Sequence, residues 1–268
     1  MTTTNQYPWG HYAELRPNEL EAIIERVPVA YLPWGALEWH GPHLPFGVDG
    51  FTAEALIDQV SQRTGGVVLP TTWWPITALP HRLSLSIPSA VVQALWEAIF
   101  AELARAGFRV IVVVTGHYAQ GHELVLMDAA EAAMTQHGLV VLAVPPLALV
   151  DERMLDHAAH WETALMLALR PKLVALNTLR EGPTTLIDTA VLGDDPRGAT
   201  LTQGESALAL AAGQLTTAVR ALLSGNNGQD SLRELYARRR ARYQSYVDTY
   251  FRGSWEAAID VWWKEKTD

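Results

Sequence analysis

In residues 109–115, Arg-Val-Ile-Val-Val-Val-Thr, every residue after Arg109 is β-branched. A strand with one wet face alternates apolar and polar side chains. A continuous run needs cover on both faces, as in a parallel sheet flanked by helices. Residues 29–36 and 139–144 repeat the pattern, and 67–75 reads as extended. Between these runs lie segments with helical spacing: 51–64, stopped by Gly65-Gly66; 89–106, with Ser89 as N-cap and Gly107 as stop; 122–137, closed by Gly138; 161–169, ending before Pro171; and 203–223. Strands alternating with helices predict an α/β fold, a three-layer α/β/α sandwich with a mostly parallel central sheet.

The chain of 268 residues is expected to be one domain, 1–268. Residues 224–230 (Ser-Gly-Asn-Asn-Gly-Gln-Asp) are the linker candidate, and 225–268 a helical tail for packing or subunit contact, with a charged helix over 231–242. With 20 basic against 29 acidic residues the net charge is −9, which argues against a nucleic-acid partner. No cysteine is present, so any metal must be held by histidine and carboxylate. The N-terminus lacks the basic start and apolar run of a signal peptide, and no apolar stretch is read as membrane-spanning. A cytoplasmic protein with no membrane partner is the expectation.

In open α/β sheets, sites form beyond the carboxyl ends of the strands. Glu38, His40, His43 and Asp49 follow the first long run, Gly116-His117-Tyr118 follows 109–115, and Asp156-His157 through Glu162 follows 139–144. Clustered carboxylates repel, and burial raises that cost; divalent cations remove it. With Glu38, Asp49 and Glu162 ionised, two divalent ions would leave about one net positive charge, suited to an oxyanion. A lone aspartate such as Asp49 can bridge two ions. Each residue also has a plainer use. Glu38 and His40 could be a surface pair, Asp49 a helix N-cap, and His43 a satisfied loop histidine. His122 and His160 suit exposed or supporting positions, and His11 and His137 the surface. Trp39, Trp73, Trp74 and Trp161 suit packing, although one or two could wall a pocket for a flat substrate. A Gly-His at a strand end is poorly explained by packing.

The stretch Leu32-Pro-Trp-Gly-Ala-Leu-Glu38-Trp-His40-Gly-Pro-His43-Leu-Pro-Phe-Gly-Val-Asp49 resembles the signature of the creatininase (creatinine amidohydrolase) family. Gly116-His117-Tyr118, His157-Ala-Ala-His-Trp-Glu162-Thr-Ala and Gly193-Asp-Asp-Pro196-Arg-Gly-Ala-Thr200 resemble its later segments, in order. The resemblance implies an α/β/α fold, a two-metal site of the zinc, manganese or iron type, and a homo-oligomer, often a hexamer. By position, Glu38 and His117 would hold one ion, His40 the other, and Asp49 would bridge, while His157 would handle protons. The family's activities include creatinine ring opening, deformylation of a formamidopyrimidine and peptide trimming in cofactor maturation. A metal-binding glutamate of creatininase proper is replaced by Ala119, with Glu162 the natural substitute. Gly-His-Gly-Gly-Asn becomes Gly-His-Tyr-Ala-Gln120, the stretch from His81 is altered, and Ala159 stands for a glycine. These departures weaken creatinine as the expected substrate. Tyr118, Trp161 and His81 are the candidate substrate contacts. His157 and Glu162 are five apart and do not share a helix face, so His157 belongs in the loop before that helix.

The expected reaction is hydrolysis of a C–N amide or cyclic amide bond of a small molecule by metal-activated hydroxide, with neutral His157 passing the proton to the leaving nitrogen. A lactone or ester hydrolase, or a formamide deformylase, could use the same site. The alternative from another class is a non-catalytic, metal-bearing member.

Overall fold

The computed structural model describes residues 7–225 and 228–267. In chain order the elements are β1 (Trp9–His11), α1 (Pro17–Arg26), β2 (Val29–Trp34), α2 (Val48–Thr64), β3 (Gly66–Val68), α3 (Ser89–Arg105), β4 (Val110–Thr115), α4 (Gln120–His137), β5 (Val140–Val144), α5 (His160–Leu169), α6 (Leu186–Thr189), α7 (Leu201–Ser224), α8 (Gly228–Tyr250) and α9 (Trp255–Thr267). The strands form one sheet in the order β1-β3-β2-β4-β5, and every pairing is parallel. The architecture is the α/β/α sandwich expected from the alternating pattern.

β2 and β4 are buried at every residue, as their unbroken apolar runs require. Right-handed crossovers put α2 on one face, where α5 and α7 join it, and α3 and α4 on the other. Tyr31, Trp34, Leu56, Ile57, Trp96, Phe100, Ile111, Leu126 and Met127 fill the layers between. From β2 the chain moves to β3 on one side and then back across to β4 on the other. The carboxyl ends of β2 and β4 therefore flank the point where strand order reverses, which is where an open sheet leaves a crevice.

Several expectations needed correction. The extended segment 67–75 yields only the three residues of β3, because Pro33 and Pro70 bring no N–H to the ladder. Pairing resumes after one extra residue, where Thr72 N donates to Pro33 O (3.0 Å) and Gly35 N to Thr72 O (2.8 Å). Ser89 is the first helical residue rather than the cap of α3; Pro88 holds the cap position, and Glu256 of α9 accepts from Ser89 N instead. α8 runs well beyond the expected 231–242, and α9, α1 and β1 had no strong pattern. α7, with 24 residues, is long and apolar enough to cross a membrane by length and composition alone, although Gln203, Glu205, Gln214 and Arg220 interrupt its apolar run. Its stripe of Ala207, Leu208, Ala211, Ala212, Leu215 and Val219 is buried, and the helix packs on α2 and α5. Part of the linker candidate, residues 226–227, lies outside the described residues.

Candidate metal centre

Glu38 and His40 lie in the loop that follows β2, and His117 follows β4 by one residue. Asp49 is the second residue of α2; Gly47 takes the cap position, and no side chain caps this helix. The N-cap expectation for Asp49 is therefore corrected: its carboxylate turns to the sheet edge. Two glycines allow this approach. A Cβ on Gly116 would lie 2.1 Å from Asp49 O, and one on Gly35 would lie 2.4 Å from the Gly50 backbone. Glu162 arrives from the opposite direction, in the first turn of α5.

These five side chains converge, each almost fully buried. His40 Nε2 lies 3.0 Å from Asp49 Oδ1 and 3.3 Å from Glu162 Oε2. His117 Nδ1 lies 2.9 Å from Glu38 Oε2 and 3.4 Å from Asp49 Oδ2. Asp49 thus turns one oxygen to each imidazole. The donor atoms form the groups Glu38–Asp49–His117 and His40–Asp49–Glu162, each with its atoms within 4.8 Å of one another, and Asp49 is common to both. A third such group joins Glu38, His40 and His157.

The outer nitrogen of each imidazole is committed to backbone. His40 Nδ1–H donates to Glu38 O (3.0 Å) and His117 Nε2–H to Ile76 O (3.1 Å). Acceptor carbonyls place the N–H of each neutral ring on its outer nitrogen, so the inner nitrogens, aimed at carboxylate oxygens, become lone pairs once their protons leave. Glu38 Oε2, His40 Nε2 and both Asp49 oxygens have no hydrogen-bond partner. Burial of such atoms without a partner is costly. One remedy is a proton: burial opposes the imidazolium of His117, but Glu38 and Asp49 outweigh it and raise its pKa to about 10. His40 is likewise raised, against burial, by Asp49 and Glu162. Burial pushes the Glu38 carboxyl up, but His117 and His157 overcome it and bring it down to about 2. The other remedy is a divalent cation, for which two imidazole nitrogens and three carboxylates are a fitting donor set.

His157 sits in the loop before α5, tied by paired backbone hydrogen bonds to Leu192 (3.0 and 2.9 Å). Its Nε2–H donates to Trp39 O (3.1 Å), which leaves Nδ1 as a free acceptor. Glu38, His117, His157 and Glu162 line a cavity of about 260 Å³, at the small end for ligand sites. Tyr118 lines it as well, and burial together with Glu162, Asp49 and Asp156 keeps its phenol protonated. Trp161 and His81, the other expected substrate contacts, do not line it. Trp161 packs beside His160, and His81 stacks on Trp39 with ring centroids 4.8 Å apart. His122, expected at an exposed or supporting position, is fully buried behind His117, with ring centroids 4.8 Å apart. His43 Nε2 donates to Ala158 O (3.0 Å), but its buried Nδ1 has no hydrogen-bond partner, so the expectation of a satisfied loop histidine holds for one ring nitrogen only.

The sequence profile of the creatinine amidohydrolase family matches residues 13–219. The chain belongs to the creatininase family. It is 30% identical over 182 residues to the creatinine amidohydrolase of Pseudomonas putida, covering 58% of this chain and 69% of that protein. It is 28% identical over 204 residues to the mycofactocin precursor peptide peptidase of Mycolicibacterium smegmatis (strain ATCC 700084 / mc(2)155), covering 67% and 79%. Among solved structures, a manganese creatininase superposes with a TM-score of 0.70 at 24% identity, covering 79% of this chain and 97% of that one. A mutant creatininase of the Zn–Zn type gives 0.68 at 24% identity over the same shares. Both share the fold. Membership makes this chain a creatininase-family hydrolase.

Several residues around this creatininase-family site have no role that the sequence pattern assigns. Asp156 caps α5 from upstream, accepting from Trp161 N (2.6 Å) and Glu162 N (3.1 Å); burial and Glu162 raise its carboxyl pKa. Its signal was an acid beside a helix start. Gln120 lines the cavity with a buried, unpartnered Oε1. Tyr246, Ile259 and Trp262 line it from the tail, and no local pattern links them to the motifs.

Proposed function

We propose that this chain is a dinuclear metal-dependent amidohydrolase that opens a C–N amide or cyclic amide bond of a small molecule. Glu38 and His117 would hold one divalent ion, His40 and Glu162 the other, and Asp49 would bridge, with zinc, manganese or iron as the metal. The observation that carries this reading is the pair of inward-facing nitrogens on His40 and His117 set against carboxylate oxygens that no hydrogen bond satisfies. Such ions supply an acidified water and a polarised carbonyl at neutral pH. The protein's own groups do the rest. His157 Nδ1 takes a proton and returns it to the leaving nitrogen. The Tyr118 phenol donates to the developing oxyanion. Gln120 Oε1 accepts from a substrate N–H, which favours an amide over a lactone or ester, because an ester leaves that acceptor unpaired. Glu162 takes the ligand role that Ala119 cannot fill.

The test is metal analysis joined to a substrate panel of formamides, cyclic amides, lactones and short peptides, on chelator-treated and metal-reloaded protein. Amide turnover that returns with metal is the expected result. Fewer than about one ion per chain, or lactones hydrolysed in preference to amides, overturns the proposal. Bound metal with no turnover of any class identifies the non-catalytic alternative. Peptide-end cleavage alone would align the chain with its peptidase relative. A cytoplasmic homo-oligomer, with a hexamer favoured, belongs to the same proposal; light scattering measures the mass.

A further inference from the structure

The family profile ends at residue 219, yet the cavity is not closed by residues within it. Tyr246 of α8 and Ile259 and Trp262 of α9 line it together with Glu38, His117 and Glu162. These helices are fastened to the core at several points. Tyr236 is fully buried, with its hydroxyl bonded to Val141 O and Ala143 N of β5. Arg239 and Tyr243 both bind the buried Glu123 of α4, at 2.7 and 2.6 Å. Glu256 takes the first N–H of α3, and Trp255 packs so closely on Gly121 that a Cβ there would meet its ring at 2.9 Å. Trp262 and Trp263 pack against Leu79, Ala158 and Ala190, beside the loops that carry the candidate ligands.

We infer that the α8–α9 segment is the specificity wall of this site and that it selects a small amide bearing a flat, apolar substituent of the aromatic class. The ligand-rich side of the cavity takes the polar carbonyl end. Tyr246, Ile259 and Trp262 can offer the other end only ring faces, an aliphatic edge and one or two polar tips. The inference rests on the metal-hydrolase reading, and its test separates the two.

Acetohydroxamate and benzohydroxamate share a metal-chelating head and differ by an aromatic ring. Binding of each to metal-loaded, full-length protein is measured by calorimetry. The wild type is expected to prefer benzohydroxamate by about tenfold, the scale of one aromatic contact. Trp262→Ala should remove most of that preference and Trp262→Phe should keep much of it, with acetohydroxamate affinity and metal content unchanged. Ile259→Trp, which fills the cavity instead of opening it, should block benzohydroxamate alone. An equal affinity for both probes in the wild type, or a preference that survives Trp262→Ala and Ile259→Trp, overturns the wall while the metal reading stands. Metal-loaded protein that binds neither probe overturns both.

Discussion

The fastening of α8 gives a prediction with a definite size and sign. Arg239 and Glu123 are both buried, and the guanidinium reaches Glu123 Oε2 through Nε (2.9 Å) and Nη2 (2.7 Å). Arg239→Met keeps the aliphatic stem and removes the charge. Glu152 is not stranded, because Arg242 Nε stays 2.7 Å from its carboxylate. Glu123 keeps only the Tyr243 hydroxyl at 2.6 Å. Removing one partner of a buried ion pair costs about 3–5 kcal/mol, most of it the uncompensated charge. Burial already raises the Glu123 pKa, and Arg239, with Tyr243, restrains it; without the guanidinium it rises further. A carboxyl whose folded pKa exceeds its unfolded value keeps its proton when folded and loses it when unfolded, so stability falls as pH climbs through that window. The loss should therefore be about 3–5 kcal/mol at pH 8 and shrink toward about 1 kcal/mol near pH 5, where a protonated Glu123 lacks only hydrogen bonds. Urea unfolding at both pH values measures it, and adding Glu123→Gln should recover most of the loss at pH 8. A loss below about 1 kcal/mol at pH 8, or one independent of pH, would refute the reasoning.

Three further outcomes are expected. Metal uptake must displace protons from His40 and His117, whose pKa values are raised, the latter to about 10. Calorimetry at neutral pH in buffers of different ionisation enthalpy should show about two protons released per chain and affinity rising with pH, whereas proton-neutral uptake would exclude these imidazoles as ligands. His157→Ala should lower kcat by about 10²–10⁴ with metal content unchanged; loss of metal would make His157 a ligand, as its grouping with Glu38 and His40 permits. Gly116→Ala drives a methyl into the Asp49 carbonyl, so it should cost about 1–3 kcal/mol in urea unfolding and lower metal content; full loading in this variant would show that Asp49 need not sit so close.

The layers were legible because β2, β4 and β5 are buried on both faces, and their composition says so. The polar residues after β2 and β4 stood out against that apolar background. What could not be read depends on tertiary placement. By its position in the chain Asp49 suits both a metal bridge and a helix cap, and only the close approach that Gly35 and Gly116 allow brings its carboxylate to the sheet edge. Trp161 and His81 lie within or beside motifs, yet one packs beside His160 and the other on Trp39. Tyr246, Ile259 and Trp262 sit in a charged or tryptophan-rich tail whose helical spacing is uninformative until α4 and β5 supply the docking surface.

The hidden part of the site is also its strained part. Among the described residues, three other than glycine have positive φ, and two of them, Thr77 (55°) and Ala158 (50°), flank the ligand cluster. Such conformations cost about 1–3 kcal/mol each and persist only where surroundings over-determine them. Here the surroundings are backbone groups that hold the ligands. Ile76 O fixes His117 and Leu79 N binds Glu38 on one side, and Ala158 N binds Glu162 Oε2 at 2.6 Å on the other. By contrast, the glycine that the family pattern places at Ala159 is not needed for backbone freedom, since φ there is −107°. The strain falls one residue earlier. Trp262 and Trp263 of α9 belong to the same apolar cluster as Leu79 and Ala158. One helix from outside the family profile therefore packs against both loops, yet every hydrogen bond that holds a ligand there comes from the loops' own backbone, so the tail walls the cavity without holding the ligands.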